Sequence, residues 1–278
     1  MHGGETMPLI TLTAGIGCGI TGVAGEVARR LEIDLFDDER LQEVAVDMEF
    51  SSQDLKAFDV KAPGLLDRLF RRSPEIYDEL MAAVIYEVAR RGDGVIIGHG
   101  SSFFLKDFNC ALHVRLRASD AFRTQRVASQ RKIEPQTAAK LIAKRDTDLK
   151  GFLHFNFKID WDDLSLYDLV INVEKMGIDA VAEMIVHLAG TTAIAACSLN
   201  AQQAMERLSL LNRVEAALRK ANINLQELEI EIPDPGVVKL TGLIDPMRTV
   251  AGVTEVIRQV PGVAKVISDA KRHPLPEL

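Results

Sequence analysis

The chain has 278 residues, 47% hydrophobic and 26% charged, with a formal net charge of −7 and three cysteines. That is enough apolar material for one large domain or two modest ones, and it excludes collagen-like, disordered and disulfide-stapled classes. Cys18, Cys110 and Cys197 are widely spaced with no CxxC pair, which predicts reduced thiols, a cytoplasmic setting and no structural zinc site.

Residues 7–25 contain no charge, nearly the length of a bilayer span, but five of them are glycine and no Lys or Arg precedes them. They read as a buried strand and a glycine loop, and no transmembrane segment is expected. Pro8 to Thr13 is the strand. Val23, Val27 and Leu31 then form the apolar stripe of a helix. Ile33 to Phe36 reads as a second strand and Glu39 to Met48 as a helix, with Ser51 and Ser52 before Asp54 offering a cap for another. Ile76 to Arg91 is an amphipathic helix stopped by Gly92-Asp93-Gly94. Val95-Ile96-Ile97 is a continuous apolar strand of the parallel-sheet kind, ending in Gly98-His99-Gly100. Leu112 to Leu116 and Leu169 to Val173 supply two more strands with basic helical sequence between them. Alternating strands and helices predict a parallel sheet covered by helices on both faces, with ligands held at the carboxyl ends of its strands.

Charge is divided unevenly along this region. Residues 31–60 hold ten Asp/Glu against two Lys/Arg, whereas residues 115–150 hold ten Lys/Arg against four Asp/Glu. Overall acidity argues against nucleic acid as a partner, but the basic stretch suits a small anion. Solvated helix faces are the plainer reading of the same counts. Along the fourth strand His113, Arg115 and Arg117 alternate with Leu112, Val114 and Leu116, a polar face unexpected in a strand covered on both sides. Either that face is exposed or ion-paired, or Arg117 serves a phosphate.

Gly15-Ile-Gly-Cys-Gly-Ile-Thr-Gly22 joins the first strand to its helix, so backbone N–H groups can approach an anion at the positive helix end. Two motifs compete for it. Gly17 to Gly22 is a formal GxGxxG with Asp37 twenty residues after Gly17, as a dinucleotide ribose ligand would be. A degenerate P-loop over Ala14 to Thr21 has Ile20 in place of lysine and Thr21 keeping the hydroxyl that would touch a metal. A merely tight strand-to-helix turn is the third reading. Cys18 could carry a lowered pKa near the helix N-terminus, or be a small packed thiol. Asp37 either touches a sugar or caps the Glu39 helix, and Trp161 reads as a core anchor. His113, His154 and His187 have no metal spacing.

Several ordered segments resemble the cytidylate-kinase-like proteins among the nucleoside monophosphate kinases, over about residues 9 to 188. They are Leu12-Thr13 through Gly19, Phe36-Asp-Asp-Glu-Arg through Ala45, Val95 to Gly100, Arg123-Thr-Gln-Arg126, and Asp160-Trp161 with Leu166 to Asn172. The resemblance implies a P-loop fold that moves phosphate from ATP, with Mg2+, to a nucleoside monophosphate. It implies catalytic roles for Arg123, Arg126, Asp146 and Lys150. It implies nucleotide or phosphate contacts for Gly15, Gly17, Cys18, Gly19, Ile20, Thr21, Gly22, Asp37, His99, Arg117 and Arg131, with Thr21 at the metal. Three cations expected from it are missing. Ile20 and Thr21 stand where lysine or arginine belongs, His99 replaces the arginine of Gly-Arg-Gly, and Asp146-Thr-Asp-Leu149 leaves only Lys150 one place late.

After Leu188 the texture changes. Ala189 to Leu199 is small and uncharged, a linker; a helix from about Ala201 to Ala221 follows. Leu228 to Ile232 and Val237 to Thr241 flank a turn at Pro233 to Gly236, a hairpin. A helix over Met247 to Gln259 and a strand over Val263 to Ile267 complete a small α/β unit, and the tail Pro-Leu-Pro-Glu-Leu is expected to fray. Val214 to Leu218, Gly236 to Gly242 and Val260 to Val266 resemble a BON domain, which implies a lipid, hydrophobic ligand or protein as partner. The expected organisation is a P-loop-type domain over 1–189, a linker over 190–203 and a BON domain over 204–278. The expected function is nucleotide binding with catalysis degenerate and the BON domain sensing or tethering. An active CMP/dCMP kinase is the alternative, and a scaffold with an empty loop the third reading.

Overall fold

The computed structural model describes residues 8–48, 74–106, 108, 111–191 and 198–273. The predicted cap at Ser51 and Ser52, Cys110, Cys197 and the tail lie outside the described residues. The chain divides into two compact units, one of Met1–Arg40 with Gly92–Ser198 and one of Leu41–Arg91 with Leu199–Leu278. This division places residues 41–91 with the C-terminal segment, whereas the sequence boundaries place them with the first domain.

The first unit is an open sheet of β1 (Leu9–Ala14), β2 (Leu35–Phe36), β3 (Gly94–Ile97), β4 (Ala111–Arg117) and β5 (Leu169–Asn172), in the order β2-β3-β1-β4-β5. All four pairings are parallel. The connecting helices are α1 (Ile20–Leu31), α2 (Asp38–Asp47), α3 (Pro74–Arg91), the single turn α4 (Ser101–Phe104), α5 (Asp120–Arg131), α6 (Pro135–Phe157) and α7 (Ile178–Ala189). Of these, α3 belongs to the second unit and α2 crosses the division. Strand and helix bounds fall within three residues of the sequence expectations where both exist.

One face of the sheet is apolar throughout. Ile10, Leu12, Leu112, Val114 and Leu116 pack against Val23, Ala24 and Val27 of α1 and Val181, Ala182 and Ile185 of α7. Each large aliphatic side chain buried there contributes about 1.5–3 kcal/mol. The opposite face carries the polar alternation; Arg117 at its end is exposed, whereas His113 and Arg115 are buried with partners, Arg115 Nε alone of their side-chain nitrogens lacking one among the described residues. In register, Thr11 lies beside His113 and Thr13 beside Arg115, all four buried. His113 Nε2 donates to the Leu105 carbonyl at 3.2 Å, so Nδ1 is the acceptor for the Thr11 hydroxyl at 2.8 Å. Arg115 donates to the Trp161 carbonyl and, at 2.7 Å, to Asp162, with its guanidinium 4.4 Å from the Trp161 ring centre. Trp161 is itself buried with Phe103 and Leu153, as a core anchor should be.

The second unit has its own core. Here α8 (Ser198–Lys220), β6 (Leu228–Asp234), β7 (Val237–Ile244), α9 (Val250–Arg258), β8 (Lys265–Ser268) and β9 (Lys271–Arg272) follow one another. β6 and β7 form the predicted antiparallel hairpin; β8 and β9 pair parallel with β7. Val214, Leu218, Val238, Leu240, Val253 and Ile257 fill the space between helices and sheet. At Gly242, with φ 97, a β-carbon would stand 2.0 Å from the Glu227 carbonyl oxygen, so only glycine fits there. No helix among the described residues is long and apolar enough to cross a membrane.

Burial holds the His113 imidazole below its ordinary value, against the pull of Asp168 and of its own hydrogen bond to Leu105. The folded chain therefore resists a proton that the unfolded chain accepts below about pH 6.5. Stability should fall as the pH drops through that value, and His113→Gln should flatten this limb. Urea titrations of both proteins at pH 7.5 and 5.5 check it, and parallel losses in the two would contradict it.

Candidate functional site

The strand order creates the crevice. From β1 the chain leaves toward one edge of the sheet, and from β4, its neighbour, toward the other, so a gap opens outside their carboxyl ends. The glycine loop follows β1 and α5 follows β4. Both therefore border the gap.

Loop and helix meet at contact distance. Gly17 and Gly19 take φ 89 and 81, a left-handed region that glycine adopts without cost, and Gly19 caps α1 without a side chain. A β-carbon at Gly15 would lie 2.5 Å from Arg123 Nη2, one at Gly17 2.9 Å from the Arg123 carbonyl oxygen, and one at Gly19 2.6 Å from Arg126 Nη2. The glycines are thus needed for two arginines to lie on the loop. Those arginines arrive from a capped helix: the Ser119 hydroxyl accepts from Phe122 N–H at 3.3 Å, and spacing of three residues puts Arg123 and Arg126 on one helix face.

Their electrostatic states differ. Arg123 is 7% exposed, and its Nε donates to the Ile16 carbonyl at 2.9 Å. Its two terminal nitrogens each donate to an Asp146 oxygen at 2.8 Å, a bidentate fork. Asp120 accepts a longer bond at 3.3 Å. Ala138, Ile142 and Asp146 recur every four residues on α6, so the stripe that packs on Val127 also delivers the carboxylate. Ile16 packs into that same cluster, anchoring the loop by its only large side chain before Cys18. Arg126 is half-buried, and among the described residues no carboxylate pairs with it. It is the cation at the loop whose charge is not cancelled.

Cys18 is a packed thiol in the sheet core, and burial pushes its pKa up, although Arg123 pulls the other way. The lowered value considered from its place near a helix end is corrected: desolvation outweighs the pull of the nearby arginines. Ile20 packs against the apolar core, and Thr21 and Gly22 are exposed in the first turn of α1.

Other sequence candidates lie elsewhere. Asp37 caps α2, accepting from Arg40 N–H at 3.0 Å. Lys150 pairs with Asp162 at 2.6 Å, in the Arg115–Trp161 cluster rather than at the glycine loop. Arg117 is exposed at the end of β4, and Arg131 is exposed in the last turn of α5, about 12 Å along the axis from Arg123. His99 follows β3 and contacts Asp38. Sequence reasoning missed Asp38 and Asp120 as partners, although Asp38 adjoins the singled-out Asp37 and Asp120 sits three residues before Arg123. The Ile16 carbonyl has no sequence signal.

A parallel sheet with a glycine loop after its first strand and basic helices over its crevice defines a P-loop kinase-type fold. The chain belongs to the cytidylate kinase-like family, whose family model matches residues 9–175. A cytidylate kinase from Pyrobaculum neutrophilum is 29% identical over 178 residues, 63% of this chain and 89% of that protein. One from Pyrococcus horikoshii is 28% identical over 166 residues, 58% of this chain and 82% of that protein. Among solved structures, an uncharacterized protein from Eubacterium ventriosum superposes with a TM-score of 0.51 at 22% identity, covering 66% of this chain and 98% of that one.

Removing one partner of a mostly buried ion pair leaves the other charge stranded. Asp146→Ala should lower stability by roughly 2–4 kcal/mol, and adding Arg123→Met should restore part of the loss. Chemical denaturation of the two single variants and the double variant checks this; additive losses would show that the pair is not coupled.

Proposed function

We propose that this protein binds a nucleoside triphosphate on the Gly15–Gly22 loop and is degenerate as a cytidylate kinase. The observation that carries the reading is the Arg126 guanidinium lying on Gly19 with no carboxylate partner among the described residues. The loop offers backbone N–H groups beside this cation, a combination suited to phosphate oxygens. Arg123 serves differently: shared with Asp146 and the Ile16 carbonyl, it fixes the loop's shape and contributes little net charge.

Phosphoryl transfer is positioning plus neutralisation of charge developing on the transferred group. Here the position expected for a lysine holds Ile20, turned into the core, and Lys150 is committed to Asp162. A single such cation is worth about 10³–10⁵ in rate, so transfer to CMP should be slow while binding survives. Mg2+ would enter with the phosphates. The described residues hold no group of three or more His, Cys, Asp or Glu, and Thr21 offers one exposed hydroxyl. That donor set fits an ion that keeps waters and phosphate oxygens as most of its ligands. When bound, it would offset charge on the phosphates; Thr21 would orient it.

The C-terminal strands and helices are proposed to act as a BON-type module that senses or tethers. Their separate apolar core and their helix–hairpin–helix–strand order support this.

Calorimetry with Mg·ATP, beside a coupled assay on CMP, dCMP and UMP, tests the reading. ATP should bind, Arg126→Ala should weaken it about tenfold or more, as loss of a charge-assisted hydrogen bond does, and CMP turnover should be slow. Rapid turnover of CMP or dCMP would establish an active kinase instead. Absence of ATP binding would leave only a scaffolding role.

A further inference from the structure

On the polar face of the first unit, outside the glycine loop, a second group of side chains is short of acceptors. Arg115 on β4 lies over the Trp161 ring, its Cζ 4.4 Å from the ring centre, and the two residues are 3% and 4% exposed. Two of their N–H groups, at Arg115 Nε and Trp161 Nε1, have no partner among the described residues. Ser101 Oγ on α4 is a third buried polar atom in the same state. It neighbours Ser102, whose hydroxyl meets that of Thr13 at 3.3 Å, and Thr13 is the register neighbour of Arg115. Phe103 of the same turn packs with Trp161. Buried polar groups are almost always matched, by protein or by something bound. Three unmatched ones gathered around one contact mark a place where an acceptor belongs.

The guanidinium shows how the shortage arises. Its Nη1 donates to the Trp161 carbonyl, and its Nη2 donates to Asp162 Oδ1 at 2.7 Å. Nε and Nη2 share one edge, the fork that a carboxylate fills with both oxygens when it binds side-on. Asp162 fills only half of it, because Lys150 draws its second oxygen away at 2.6 Å. These two cations, Lys150 foremost, hold the Asp162 carboxyl below its ordinary range. One carboxylate thus answers two cations. The acids on either side are turned to the backbone: Asp160 accepts from the Asp162 N–H and Asp163 from the Ser165 N–H, each at 2.9 Å. The Lys150 and Asp162 side chains are 48% and 42% exposed, so the cluster reaches solvent at this pair, with Arg115 and Trp161 behind it.

Water would match the N–H groups but not the unbalanced charge. An anionic oxygen group meets both needs, since it accepts without donating and carries the opposite sign. We propose that this cluster is a ligand site separate from the Gly15–Gly22 loop, for a small carboxylate or phosphate group. The oxygens of that group accept from Arg115 Nε–H and Trp161 Nε1–H, and Lys150 stands at the entrance. Binding here involves no transfer step and does not depend on a nucleotide at the loop.

Trp161 is the chain's single tryptophan, so one indole N–H signal reports on the site. The full chain, labelled with 15N, is titrated with inorganic phosphate and, separately, with acetate at constant ionic strength. The indole signal should move downfield along a saturating curve with at least one of them, and the one that acts names the source of the group. Lys150→Gln should weaken this binding about tenfold, as loss of a charge-assisted contact does. Asp162→Asn should tighten it, by removing the carboxylate that competes for Arg115. Both side chains are half-exposed, and melting curves check that the variants fold. Arg126→Ala should leave the titration unchanged. The proposal is overturned if the indole signal stays still with both anions or moves without saturating, or if either cluster variant shifts the affinity the other way or not at all. Loss of the response in Arg126→Ala would also overturn it, because the anion would then lie on the glycine loop. Calorimetry with Mg·ATP reads the loop separately, so failure of one reading leaves the other standing.

Discussion

Arg123 is the point on which the architecture of the glycine loop turns. Its four hydrogen bonds reach three different parts of the fold: Nε to the glycine loop at Ile16, Nη1 and Nη2 to Asp146 on α6, and a longer bond from Nη1 to Asp120 in its own helix. The loop has almost no side chains with which to hold itself, so its shape is imposed from outside. A buried guanidinium with a bidentate carboxylate can do this because both partners are desolvated together and each satisfies the other. With Arg123 spent on architecture, the charge left uncancelled at the loop, among the described residues, is that of Arg126.

The sheet beneath shows a second use of buried polarity. β4 sends Leu112, Val114 and Leu116 into an apolar layer and His113 and Arg115 into a polar one. Most of that second layer is matched by fixed partners: Thr11, the Leu105 and Trp161 carbonyls, Asp162 and the Trp161 ring, with Arg115 Nε and Trp161 Nε1 left without one among the described residues. Each is nearly worthless at the surface, but inside a covered sheet an unmatched member would cost about 1–3 kcal/mol. The layer thus specifies how α4 and the Trp161 segment seat on the sheet. It also explains why a strand covered on both faces can carry charge.

How much of this was legible in the sequence varied with the range of the interaction. The parallel sheet, the glycine loop and the C-terminal hairpin followed from local periodicity and turn residues, and the structure places them where the patterns put them. The ordering of β2-β3-β1-β4-β5 and the meeting of Arg123 with Gly15 depend on which strands lie adjacent, which periodicity does not encode. Asp146 was readable as a catalytic residue by resemblance. That it would clamp Arg123 required knowing that the Ala138–Ile142 stripe of α6 faces α5. The partner of α3 was also illegible: Tyr77, Leu80, Met81, Val84 and Ile85 on α3 are all buried, and Ser209 of α8 donates to Glu87 at 3.4 Å within the same unit. Helical spacing announces an apolar face but not its partner. Arg117 was singled out for its alternation, yet it is the one member of that series outside the buried layer.

We propose above all that the Gly15–Gly22 loop is a phosphate cradle shaped by Arg123 and charged by Arg126. Backbone amide NMR of the full chain during titration with Mg·ATP measures this at the atoms concerned. The N–H signals of Gly17, Gly19, Thr21 and Gly22 should move together along one saturating curve, while those of Gly236 and Gly262, in the C-terminal strands and turns, stay in place. Loop signals that remain still while ATP binds elsewhere, or that move no more than Gly236 and Gly262, would contradict it.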